Sequence, residues 1–106
     1  MKIEFDTNEY VQNITKSKSY FNTFINRENL SAGILRLESG EEDTQAPHDI
    51  DEIYYVIRGD GFLNIAGKDY PVSSGKAYFV AKNVEHKFHG NKNELVVLYF
   101  FGGPDS

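Results

Sequence analysis

His48-Asp49-Ile50-Asp51-Glu52-Ile53-Tyr54-Tyr55-Val56-Ile57-Arg58-Gly59-Asp60-Gly61 carries both the fold and the chemistry of this chain. An imidazole and a carboxylate four residues apart lead into the apolar run Ile53 to Ile57, and a Gly-Asp-Gly turn closes it. A β-branched and aromatic run ended by such a turn predicts a strand. Side chains alternate along a strand, so His48, Glu52, Tyr54 and Val56 are expected on one face, with both ligand-type groups at the strand's head.

The same punctuation recurs on both sides of this stretch. Apolar segments run over Tyr20 to Ile25, Ala32 to Leu37, Phe62 to Ile65, Tyr70 to Val72, Ala77 to Val80 and Leu95 to Phe101. Ala66-Gly67-Lys68, Ser73-Ser74-Gly75 and Gly90-Asn91-Lys92-Asn93 separate them with residues that tolerate positive φ or bond their own backbone. With seven Tyr, eight Phe and few helix-favouring runs, the chain reads as all-β, a sandwich or barrel. Its 106 residues suit one domain over 1–106, with a core at about 19–101 and a flanking segment 1–18. In that segment Thr7 to Ile14 predicts a short helix capped by Thr7 or Asn8, with Tyr10, Val11 and Ile14 on one stripe. The tail from Gly102 to Ser106 is expected to fray.

Charge and hydropathy exclude several partners. The net charge is −5 and the lysines are scattered, so no surface is built to neutralise phosphates and no nucleic-acid partner is expected. No apolar run approaches a membrane span, and Met1 to Asp6 meets acids at once, so the expectation is a cytoplasmic protein without a membrane partner. The sequons at Asn13 and Asn29 are assigned no role, and the absence of cysteine leaves the redox compartment open. Two segments, Ile53 to Ile57 and Leu95 to Phe101, are apolar on both faces. A small barrel has little helix to cover its outside, so a second subunit is expected there and the chain is read as a homodimer.

The chemistry rests on few residues. The chain has only three histidines, and two of them, His48 and His86, fall at turn–strand junctions. Burying Glu52 in a barrel without a counter-charge is costly, and a divalent cation shared with His48 and His86 removes that cost. Gln45 has odd spacing from His48, opposite in a regular strand, yet offers an amide oxygen if the backbone bulges at Pro47. His89 is three residues from His86 and faces outward. Tyr54 and Phe88 are barrel lining, with the Tyr54 phenol placed to position a substrate or a water. Glu41-Glu42-Asp43 reads as a solvated loop at the barrel mouth.

These residues resemble the two motifs of the cupin superfamily, jelly-roll barrels with a central metal. In the first, Gly40, His48, Glu52 and Gly59 match in order and spacing, while Ala46 stands where the first histidine belongs and Gln45 is adjacent. In the second, Gly75 and His86 match, while Ala81, Asn83 and Gly90 replace proline, glycine and asparagine. Asn83 can adopt the left-handed conformation usual at its position. The resemblance covers roughly Ala32 to Phe101. It implies a cupin-type double-stranded β-helix with one divalent ion per subunit (zinc, iron, manganese or nickel) held by His48, Glu52 and His86, with Gln45 as a further ligand or as an amide orienting a metal-bound water.

Two histidines with a carboxylate leave open positions, which favours catalysis over a closed structural site. The expectation is a small-molecule metalloenzyme with Glu52 and Tyr54 in catalytic positions. It would activate water, as in a hydration of carbon dioxide on zinc, or dioxygen on iron. The alternatives are a non-enzymatic cupin that binds or senses a small ligand, and a metal-independent isomerase with His86 as general base.

Overall fold

The computed structural model describes residues 1–15 and 19–104. One helix, α1 (Thr7–Thr15), precedes eight strands: β1 (Phe21–Arg27), β2 (Leu30–Leu37), β3 (Glu52–Arg58), β4 (Phe62–Ile65), β5 (Lys68–Pro71), β6 (Ala77–Val80), β7 (His86–His89) and β8 (Leu95–Phe101). They form two antiparallel sheets, ordered β1-β2-β8-β3-β6 and β5-β4-β7. This is the all-β jelly roll expected from the strand and turn pattern. Among the described residues no helix is long and apolar enough to cross a membrane.

The expected strands are found with small shifts at their ends, and β7 is a further strand that does not coincide with an apolar run. His86-Lys87-Phe88-His89 holds one aliphatic-free alternation, buried, exposed, buried, half-buried, too polar in composition to register as an apolar segment. Its inward residues are nonetheless core. Phe88 lies edge-on to Tyr54 with ring centroids 4.8 Å apart, and His86 lies one pleat away on the same face. Along β3, Glu52, Tyr54 and Val56 are buried and alternate with exposed Ile53 and Tyr55, as period-two patterning requires.

The turns behave as their residues dictate. Ala66 and Gly67 both have positive φ, 51° and 88°, giving the tight β4–β5 hairpin. Asn83 takes φ 64°, so the left-handed position expected there is present.

The helix differs from expectation at its start. Asp6, not Thr7 or Asn8, is the cap: its carboxylate accepts from the Asn8 N–H at 3.0 Å and its carbonyl from Glu9. The stripe is as expected in Val11 and Ile14, which are buried against Ile34 and Val96 on the outer face of β2 and β8, with Tyr10, Phe24, Ile57 and Leu98 around them. This corrects part of the reading of the outer surface. Val96 and Leu98 are covered by the chain's own helix, so the second apolar face of β8 needs no partner over that half. Of the expected fraying tail, Asp105 and Ser106 lie outside the described residues.

One close approach ties the sheet together at the site's edge. The Tyr99 ring crosses β2 at Gly33 to reach the Thr23 hydroxyl on β1, 2.6 Å away. A Cβ on Gly33 would overlap the Tyr99 phenol and lie 2.6 Å from the Asn22 carbonyl. Gly33→Ala is therefore expected to destabilise the fold by about 1–3 kcal/mol through overpacking, measured as a lowered denaturant midpoint at constant slope.

Candidate metal centre

Glu52 opens β3 with its side chain inward, and His86 opens β7 on the facing wall. His48 is not on the strand. It stands in the irregular segment before β3, so strand alternation does not place it; two loop contacts do. Its carbonyl accepts from the Asn83 N–H at 2.6 Å, and three residues on, Asp51 Oδ1 accepts from the Lys82 N–H at 2.9 Å. The left-handed turn that leads to His86 is thus pinned to the loop that carries His48, and the His48 ring packs edge-on against Phe101, centroids 4.6 Å apart. One ligand atom from each of His48, Glu52 and His86 lies within 4.8 Å of the others.

The donor set fits a divalent ion on the evidence of an unsatisfied atom. Glu52 is 3% exposed, and its Oε1 is buried without a hydrogen bond among the described residues. It lies 3.2 Å from His86 Nε2, close enough for a charge interaction but not aligned as a hydrogen bond. A buried carboxylate oxygen left unpaired costs several kcal/mol, about the situation a cation relieves.

The sequence reading of Glu41-Glu42-Asp43 is corrected at its last residue. Asp43 is 5% exposed and saturated by donors: Tyr20 Oη at 2.9 Å, the Gln45 N–H at 3.3 Å, Gln45 Nε2 at 2.7 Å and the Phe88 N–H at 2.8 Å. Burial and the Asp43 charge push the Tyr20 phenol up to about 12, so it stays a donor. The Asp43-to-Gln45 turn is a local spacing that sequence could have shown; the partners on β7 and at Tyr20 are not local.

Asp43 also decides which way the Gln45 amide points. A carboxylate only accepts, so the Gln45 NH₂ faces Asp43 and its oxygen faces the barrel. There Oε1 accepts from the Tyr54 O–H at 3.0 Å, and the Tyr54 oxygen lies 3.0 Å from His86 Nε2. Because its one hydrogen is spent on Gln45, Tyr54 offers lone pairs to the site. Gln45, expected on the far side of a regular strand, lies in the loop and lines the same cavity as His48, Glu52 and Tyr54. His89 is on the surface as expected, 2.7 Å from Asp69 on β5.

The cavity above these groups is about 520 Å³ and opens between the Gln45–His48 segment and the start of β1. Burial pushes the Tyr54 phenol well above its ordinary value, as do the charges of Glu52 and Asp43, so it is neutral at physiological pH.

Residues 33–102 match the cupin domain model. The chain belongs to the cupin family. It is 35% identical over 83 residues to an uncharacterized protein of Streptomyces coelicolor, covering 78% of this chain and 79% of that one. The fold is shared with the solved structure of KdgF from a Halomonas species at a TM-score of 0.70 and 21% identity, over 81% of this cupin and 80% of the other chain. It is shared also with the DMSP lyase DddQ from Ruegeria pomeroyi at a TM-score of 0.72 and 17% identity, over 78% of this chain and 46% of that one. At these identities the structural likeness shows the barrel and no more.

His86 has a pH signature. Burial acts to lower its pKa, but Glu52, the Val84 carbonyl 2.9 Å from Nδ1, and the charge of Asp43 outweigh it, and the value is raised above the ordinary 6.5. A raised folded-state value means that the stabilisation is complete below 6.5 and is lost as pH climbs through the raised value. The metal-free cupin is expected to lose stability as pH rises above the ordinary imidazole value of about 6.5. Thermal melts of chelator-treated protein check this, and His86→Gln should flatten the profile.

Proposed function

We propose that this cupin is a metal-dependent enzyme acting on a small molecule, with one divalent ion held by His48, Glu52 and His86 and with the Gln45 oxygen beside them. The observation that carries the reading is Glu52 Oε1, buried without a hydrogen bond and 3.2 Å from His86 Nε2, in a set with His48 whose ligand atoms lie within 4.8 Å of one another. When bound, such an ion supplies Lewis acidity towards a substrate oxygen, a water or dioxygen. The chain's own residues do the rest. His86 Nδ1–H donates to the Val84 carbonyl, and Nε2, which in the ion-free chain donates its proton to the Tyr54 oxygen, would give up that proton to become the ligand atom. Tyr54 Oη, with its proton directed to Gln45, accepts a hydrogen bond from a donor group on the reacting molecule and so fixes its orientation. Phe101 and Tyr99 wall the base of the cavity and limit water around the reacting atoms.

Metal content tests the proposal directly. Purified wild-type protein is expected to hold or take up about one ion per chain, whereas His48→Ala and His86→Ala should lose at least a hundredfold in affinity with circular dichroism unchanged. Glu52→Gln, close in shape and able to stay buried, should lose at least tenfold. Unchanged stoichiometry in all three variants overturns the assignment.

A second copy of the chain completes the uncovered outer face in this proposal. Phe79, Ile53 and Phe100 are cross-strand neighbours on β6, β3 and β8, at 61%, 47% and 36% exposure, with Tyr55 beside them at 41%. β6 is the edge of its sheet, so a two-fold contact pairs this aromatic row and this edge with their own copies. Light scattering is expected to give a dimer for the wild type and a monomer for Phe79→Asp; a monomeric wild type removes the dimer from the proposal.

A further inference from the structure

From the charges around the cavity we infer that the substrate is an oxygen-donor ligand with a planar apolar body and no more than one negative charge, of the phenol, enol or hydroxamate type. The inference rests on the metal reading above and goes on to the substrate's chemistry. Among the described residues no Lys or Arg lines the cavity. Arg36 and Arg58 are engaged elsewhere: both pair with Glu94, and Arg36 with Glu38 as well. The acids point the other way, with Glu52 in the cavity wall and Asp43 buried behind Gln45. A divalent ion on one carboxylate leaves a single surplus positive charge. One anionic oxygen is matched there, while a dicarboxylate or a phosphorylated sugar brings a second charge that meets no lysine or arginine among the described residues.

The walls define the rest of the ligand. Tyr20, Phe21, Tyr99 and Phe101 line the cavity, and about 520 Å³ accommodates a one-ring body beside the ion. Phe21 is 48% exposed at the mouth, an apolar ring held against Tyr20 at 5.5 Å between centroids. Flat faces at the mouth and base favour a flat guest through ring stacking and area burial. Tyr54 adds one hydrogen-bond acceptor at the ion's side, which suits a ligand that carries an O–H or N–H next to its metal-binding oxygen.

Cobalt(II)-loaded protein tests this by the change in its visible absorption on ligand titration. Benzohydroxamate and acetohydroxamate share a chelating head and differ in the ring, and malonate brings two negative charges without one. Benzohydroxamate is expected to bind at least tenfold tighter than acetohydroxamate, and malonate weaker than either. Phe21→Ala should cut the benzohydroxamate advantage at least threefold and leave acetohydroxamate unchanged. Phe21→Arg should strengthen malonate at least threefold. Equal affinities for the two hydroxamates, or malonate as the tightest ligand, overturn the substrate class while the metal site stands. A protein that takes up no cobalt overturns the metal reading, and this inference falls with it.

Discussion

Among the described residues two carboxylates are buried in this barrel, and they are treated in opposite ways. Asp43 has lost its water but regained four donors, so its charge is met by hydrogen bonds throughout. Glu52, at similar burial, keeps one oxygen that meets none. Since a folded chain rarely leaves such a group unpaired, the difference separates an acid that organises structure from one held ready for a positive partner. The saturated acid makes the unsatisfied one useful, because it fixes the loop that brings His48 and Gln45 to the same place.

The connection runs through a chain of directed hydrogen bonds. Asp43 takes the Gln45 amide hydrogen, Gln45 takes the Tyr54 hydroxyl hydrogen, and Tyr54 meets His86 with its oxygen. Every direction follows from one fact, that a carboxylate cannot donate. Asp43 also accepts from the backbone of β7 at Phe88, two residues past His86. One buried charge therefore sets both the polarity of the Tyr54–Gln45 pair and the seat of the strand that carries the second imidazole.

The surface follows a simpler logic of cover. The outer face of β2 and β8 is roofed by α1 through Val11 and Ile14, whereas the outer face of β3 and β6 is left with a row of aromatic side chains. Arg36 and Arg58 pair with Glu94, and among the described residues the cavity is lined by rings and Glu52 without a lysine or arginine.

Much of this was legible in the residues themselves. The alternation Glu52, Tyr54, Val56, the positive-φ turns at Ala66-Gly67 and Asn83, and the motif spacing of His48, Glu52 and His86 are local patterns, and local sterics and periodicity act through neighbours in the chain. The same locality explains the failures. Asp43 looked like the end of a solvated acidic run because its partners, Tyr20 and Phe88, lie 23 and 45 residues away. Gln45 and His48 were judged by strand parity, although Pro47 and the pinning of His48 to Asn83 hold that segment out of any strand. The helix that covers Val96 was anticipated, but not where it docks, since an amphipathic stripe states that it will be buried and not against what. Sequence determined the barrel and singled out the groups proposed to hold an ion; only the tertiary structure decided which acid is satisfied, which way each hydrogen bond runs and where Arg36 and Arg58 go, because those depend on contacts between residues that chain order keeps far apart.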